Sequence, residues 1–148
     1  MTNYALVPLD GSPLSRRALR HTLEGFPNTS ITVLHVTDLS DPGYGADPDF
    51  ETSYEPLMES EEWYGRAEEI SEQLFEDARE LADAYDREVS TTSGIGDPKR
   101  IIVEYADEEE TDHIVLGAHG RTEEERPVFG SVAEVVARRA TVPVTLIR

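Results

Sequence analysis

The stretch that most restricts what this 148-residue chain can become runs from Leu116 to Val132, LGAHGRTEEERPVFGSV. An apolar run, His113-Ile114-Val115-Leu116, precedes it with the length and β-branched content of a buried strand. Gly117, Gly120 and Gly130 follow, and Ser131 opens a helical pattern that puts Val132, Val135 and Val136 on one face. The order is strand, glycine-rich loop, helix start. Glycine lets the backbone approach an anion closely, because no Cβ intervenes and positive φ is accessible. A helix start adds unpaired N–H groups and the positive end of its dipole. Ser131 stands where an N-cap or a phosphate-binding hydroxyl would stand. The same residues also suit an ordinary strand-to-helix loop with a capped helix. The spacing, Gly-x2-Gly, nine residues, then Gly-Ser, lacks the lysine of a Walker A loop and is not the compact dinucleotide fingerprint.

Taken in order, the chain alternates strand and helix. Tyr4–Leu9 is an apolar run ending at the turn Asp10-Gly11, and Ser12-Pro13 supplies an N-cap and a first-turn proline. Leu14, Ala18, Leu19, Thr22, Leu23 and Phe26 follow at helical spacing until Pro27-Asn28 stops the helix, and Ile31–Val36 is the second strand. Residues 38–60 show no period and hold Pro42, Gly43, Gly45, Pro48 and Pro56 among acids, which predicts a mobile solvated loop. Tyr44, Phe50, Tyr54 and Met58 offer the alternative of a lid or a partner surface. The longest helix is expected from about Ser60 to Tyr85, with Trp63, Ala67, Ile70, Leu74, Ala78, Leu81 and Tyr85 as its apolar stripe and its many acids on a solvated face. A strand near Glu88–Ser93 leads to Asp97-Pro98, again an N-cap and first turn. The next helix carries Ile101, Ile102, Tyr105 and Ala106 inward. After the glycine loop, the last helix runs to about Arg139 and the last strand is Val144–Ile147.

Five strands separated by helices imply one α/β domain over residues 1–148, a three-layer αβα sandwich around a parallel sheet. The glycine loop resembles the ATP-binding signature of the universal stress protein family at Gly117, Gly120, Gly130 and Ser131. Val7-Pro8-Leu9-Asp10-Gly11-Ser12 is similar to that family's opening strand and turn, and Leu34-His35-Val36 to its second strand. Ser131–Glu134 and Pro143–Ile147 are similar to its last helix and strand, so the likeness spans nearly the whole chain.

The resemblance, to the UspA-like, ATP-binding subclass, implies a Rossmann-like (HUP) sheet of strand order 3-2-1-4-5. Asp10 and the glycine loop then meet at the switch point between strands 1 and 4. It also implies roles. The backbone of Gly117, Gly120 and Gly130-Ser131-Val132 would hold phosphates, with Ser131 donating its hydroxyl. Val36 would meet adenine through its main chain, and Pro8 and Leu116 would line the base and sugar pocket. Asp10 suits ribose hydroxyls or an ATP-bound Mg²⁺, its plainer reading being a turn-forming Asp-Gly. A side chain at Gly117 or Gly130 is expected to obstruct the nucleotide and leave the core intact. Ala133 stands where a nucleotide-binding member carries a threonine, and Glu123-Glu124-Glu125 brings three acids near the phosphates, offset by Arg121 and Arg126. The family further implies a homodimer paired through the C-terminal strand.

The function expected is that of a non-catalytic, nucleotide-binding regulator of stress responses acting on a protein partner the sequence does not name. The alternative is a slow ATPase or a self-phosphorylating enzyme at the same site; hydrolysis needs a base or an oriented water beside the γ-phosphate. The histidines support no separate chemistry: His21, His35, His113 and His119 lack metal-ligand spacing, His35 and His113 read as core residues, and His119 lies within reach of the ligand loop. There is no cysteine, hence no disulfide or thiolate site. Residues 1–12 lack the basic and apolar regions of a signal peptide, and no run approaches the roughly 20 apolar residues of a membrane span, so a cytoplasmic location is expected.

Charge supplies the last constraint. Thirty-one acids against thirteen bases give a formal net charge of -18, and Lys99 is the only lysine. That balance excludes non-specific binding to nucleic acid or an anionic membrane, which requires basic surface. It resembles the composition of proteins from salt-accumulating halophiles, the alternative being an acidic mesophile protein. Salt shortens the Debye length to about 3 Å at 1 M and so removes most of the self-repulsion. The melting temperature is therefore expected to rise between 0.1 M and 2 M KCl; scanning calorimetry giving the same value at both concentrations would overturn the halophile reading.

Overall fold

The structure, a computed structural model, describes residues 3–38, 60–119 and 130–148. The expected loop at 38–60 falls, apart from its two ends, outside the described residues, as do Gly120, Arg121, Glu123-Glu124-Glu125 and Arg126. Strands and helices alternate as β1 (Asn3–Pro8), α1 (Pro13–Gly25), β2 (Thr29–Thr37), α2 (Glu61–Asp83), β3 (Ser90–Ile95), α3 (Pro98–Glu108), β4 (His113–Gly117), α4 (Ser131–Arg139) and β5 (Val144–Ile147). The strands form one parallel sheet in the order β3-β2-β1-β4-β5. This is the expected α/β architecture.

The pleat sorts the core into two layers. Val7, Leu9, Val33 and Val115 face α1 and α2, meeting Leu19, Leu23, Phe75, Ala78 and Leu81. Leu6, Leu34, Val36, Ile114 and Leu116 face α3 and α4, meeting Ile102, Ala106, Ala133 and Val136. Central strands buried on both sides need continuous apolar runs, which β1, β2 and β4 supply.

Local chemistry sets the helix starts. Ser12 caps α1, its Oγ accepting from Ser15 N at 3.1 Å, and Asp97 caps α3, its Oδ1 accepting from Lys99 N at 3.0 Å. Both were expected. Ser60 caps α2 in the same way through Trp63 N, and Trp63 is buried in the core as expected.

Several boundaries differ. The buried stripe of α2 is Trp63, Ala67, Ser71, Phe75, Ala78, Leu81 and Ala82, while Ile70, Leu74 and Tyr85 are half-buried. The stripe turns toward Ser71 because β2 presents a polar partner there: His35, fully buried, lies 2.6 Å from Ser71 Oγ through Nδ1. Strand β3 begins two residues later than expected and extends through Gly94 to Ile95, where Gly96, at φ +144°, donates from N to Thr37 O. His113 is only half-buried. Its Nε2 lies 2.7 Å from Thr145 Oγ1, Phe26 packs edge-on at 5.4 Å, and burial, with His21 nearby, pushes its pKa below the ordinary value.

Helix α1 approaches the end of β4 unusually closely. A Cβ built on Gly117 would lie 2.9 Å from Leu14 Cβ, 3.0 Å from Leu14 C and 3.1 Å from Ser15 N. Two of these neighbours are backbone and cannot move aside cheaply. The expectation that a side chain at Gly117 leaves the core intact is therefore corrected: this glycine admits the helix to the sheet. Gly117→Ala should destabilise the fold by about 1–3 kcal/mol, lowering the melting temperature by several degrees. An unchanged thermal melt would show that α1 can retreat.

Candidate functional site at the carboxyl edge of the sheet

In a parallel sheet all strands end on the same edge, and the ends of β1, β2 and β4 meet where the chain's winding reverses. The gap there has an identifiable cause. Leu9 N donates to Leu34 O at 2.8 Å, so the backbone of β1 points toward β2 at residue 9 and toward β4 at residue 8. Residue 8 is proline and has no N–H to give. The ladder between β1 and β4 pairs only Ala5 with His113 and Leu6 with Ile114. Beyond that no further residues of the two strands are paired.

The same alternation orients Val36. Leu34 O accepts from β1's continuation, and Thr37 O accepts from Gly96 N on the β3 side. Val36 shares the parity of Leu34, so its N–H and C=O face the β1 side, beyond the end of that strand. By the pleat, Pro8 lies on the face of Leu6, and Leu6, Val36 and Leu116 belong to one apolar cluster. The three residues expected to line a base and sugar pocket thus share one face of the sheet, the face covered by α4.

The turn after β1 is tightly built. Asp10 is buried, its Oδ1 accepts from Ser12 N at 2.8 Å, and Gly11 takes φ +83°, a value that favours glycine. Ser15 Oγ donates to Ser12 O at 2.9 Å and accepts, at 3.5 Å, from Asp10 N. The plainer reading of Asp10 as a turn former is thereby realised, and the carboxylate is held at the edge of the gap by one of its two oxygens. Ser15 was missed as part of this turn; the Ser12-x-x-Ser15 spacing was its signal.

The ends of the glycine loop are pinned together. Ala118 N donates to Ile147 O at 2.7 Å, and Ala118 O accepts from Gly130 N at 2.7 Å. Gly130 is the N-cap of α4, with extended backbone (φ -67°, ψ 165°) and no side-chain cap; Ser131 is the first helical residue, exposed to solvent, rather than the cap. The first helical bond runs from Glu134 N to Gly130 O, so the N–H groups of Ser131, Val132 and Ala133 have no acceptor within the helix. The Ala133 side chain is buried in the core, packed with Leu6, Leu34 and Val136. That position contributes packing, and the threonine expected there would have its hydroxyl in an apolar layer. His119, half-buried at the loop's root, has a buried Nδ1 with no hydrogen-bond partner, an atom a ligand could satisfy.

These features fit an adenine nucleotide. The main-chain polar groups of Val36 point to the β1 side beyond that strand's end, the start of α4 has no side-chain cap, and the Asp10 carboxylate is buried nearby in the turn after β1. Among the described residues no group of three or more histidines and acids could hold a metal ion by itself, so Asp10 could act on Mg²⁺ only as one ligand beside phosphate oxygens.

Comparison with known proteins follows the same line. The model of the universal stress protein family matches residues 1–148. A universal stress protein of Methanocaldococcus jannaschii is 28% identical over 146 residues, covering 97% of this chain and 80% of the relative. Among solved structures, UspA from Lactobacillus plantarum superposes with a TM-score of 0.77 at 24% identity, covering 99% of this chain and 97% of that one. The universal stress protein of Archaeoglobus fulgidus in complex with dAMP gives 0.65 at 23% identity, covering 100% and 98%. Other matched structures of the family carry AMP or cAMP. The chain belongs to the universal stress protein family.

Proposed function

We propose that this protein binds an adenine nucleotide, ATP or a close relative, at the carboxyl edge of the sheet and acts without turnover as a nucleotide-dependent regulator of a partner protein. The observation that carries the reading is the convergence of the unpaired ends of β1 and β4, the outward main chain of Val36 and the uncapped start of α4 on one edge. Relatives with bound dAMP, AMP and cAMP support the ligand class. Val36 reads the base through its main chain, and Pro8 and Leu116 line the base and sugar. Gly130, Ser131 and Val132 take the phosphates, together with Gly117 and Gly120 by their main chain. Asp10 meets ribose hydroxyls or an ATP-bound Mg²⁺.

Gly130→Val should abolish ATP binding while circular dichroism stays near-native. Ser131→Ala should lose one charge-assisted hydrogen bond, about 1.5–3 kcal/mol, or roughly ten- to hundredfold in affinity. Asp10→Ala should weaken binding and reduce its Mg²⁺ dependence. Calorimetry at high salt measures all three, and equal affinity in the parent and Gly130→Val would remove the glycine loop from the site. Labelled ATP returned intact supports the regulator; turnover or stable label transfers the reading to an enzyme.

The working unit we propose is a homodimer. Strand β5 ends the sheet, so among the described residues its outer backbone has no strand partner, and Val142 just before it and Val144 and Leu146 within it are half-buried against the core. Light scattering at high salt should give twice the mass of the chain; a monomer at tens of micromolar, on the order of ordinary dimer affinities, overturns the assignment.

A further inference from the structure

A second concavity lies on the opposite face of the sheet from the pocket wall described above. It is a cleft of about 310 Å³ between α1 and α2, at the small end of the range for small-molecule sites. Ser12, Ser15/Arg16 and Leu19 of α1 confront Leu74, Asp77/Ala78 and Leu81 of α2, each set repeating every three to four residues, with Leu9 at the base. The inner walls are mostly apolar, with the buried hydroxyls of Ser12 and Ser15 already bonded within the turn, and the exposed lining carries one charge of each sign, Arg16 on one helix and Asp77 on the other.

Neither charge is used within the fold. Among the described residues, no ion pair or side-chain hydrogen bond engages Arg16 or Asp77. Several described arginines are engaged, Arg17 with Arg148 O, Arg79 with Glu72, Arg87 with Leu23 O, Arg100 with Glu104 and Arg138 with Glu134, whereas Arg20 and Arg139 resemble Arg16 in making no ion pair or hydrogen bond among the described residues. What sets Arg16 and Asp77 apart from the other exposed charges is their place: they line one cleft from its two helices, a complementary charge pattern across it. A lone anion would meet Asp77, and a lone cation Arg16. A zwitterion satisfies both.

We infer that this cleft is a binding site for a free α-amino acid with an apolar side chain. Its carboxylate would lie toward Arg16, its ammonium toward Asp77, and its side chain against Leu9, Leu19, Leu74 and Leu81. Guanidinium–carboxylate pairing and a charge-assisted bond to the second carboxylate fix the head, and apolar burial selects the tail. The site is separate from the nucleotide site and does not depend on it. The two share only the turn Asp10–Ser15, so a ligand in the cleft packs against the segment that holds the Asp10 carboxylate.

The test is calorimetric titration of L-leucine into the full-length, nucleotide-free protein, with glycine, N-acetyl-leucine and leucinamide as comparators. Saturable binding of leucine is expected, with each comparator at least about tenfold weaker, because each lacks the side chain or one charge. Arg16→Ala and Asp77→Asn, both exposed positions that leave the fold intact, should each weaken leucine by about tenfold or more. No saturable heat with leucine up to about 10 mM overturns the site. Equal binding of N-acetyl-leucine, or leucine binding unchanged in both variants, overturns the zwitterion. ATP titration of the same variants is expected to match the parent, so failure here and failure of the nucleotide reading are told apart.

Discussion

The hydrogen bond that Pro8 does not make is the constraint on which the rest of the site depends. Backbone polar groups alternate sides along a strand, and the register puts the missing donor on the side of β4. Any other residue there would carry an N–H on the side of β4; the proline carries none. The pairing ends at Leu6–Ile114, short of the proline, at the position where the topology reverses. The alternation that places the gap also turns Val36's main chain toward it. A fold-level rule, ligands at switch points, thus reduces here to the parity of three residues and one absent N–H.

The glycines of the signature divide between two tasks. Gly117 lies where α1 presses on the end of β4, and its missing Cβ is filled by Leu14 and Ser15 backbone. Gly130 closes the loop on Ala118 and starts α4 without a side-chain cap. The first is tied to packing, whatever its main chain does for a ligand; the second is tied to the helix start. A substitution series that treated them alike would confuse loss of fold with loss of ligand.

The architecture was legible because strong local signals agreed: buried β-branched runs, Ser12 and Asp97 before prolines, and glycine after the fourth strand. What the sequence concealed depended on partners far away in the chain. Ser71 belongs to the buried stripe of α2 only because His35 waits in β2, and no helical period announces that. Ala133 looks like a missing phosphate hydroxyl until the sheet beneath α4 supplies Leu6 and Leu34. Ser131 looks like a cap until Gly130's extended backbone takes that place. The cleft was invisible for the same reason, since Arg16 and Asp77 meet only through the packing of α1 on α2.

The acidic balance finally decides what kind of forces can hold a nucleotide here. Each phosphate brings negative charge to a body that already carries -18. Arg138 and Arg100, on the two helices that cover the pocket face, are paired with Glu134 and Glu104 and offer little net positive charge. On the proposed reading, phosphate recognition would draw on donors that acids do not neutralise, the main-chain N–H groups at the start of α4. These act within a turn's length, whereas the repulsion of the whole surface acts over the Debye length. Concentrated salt shortens the second without removing the first. On the proposed reading the ionic medium would matter to the site as much as Ser131, because it sets the range over which a phosphate must overcome the repulsion of the surface.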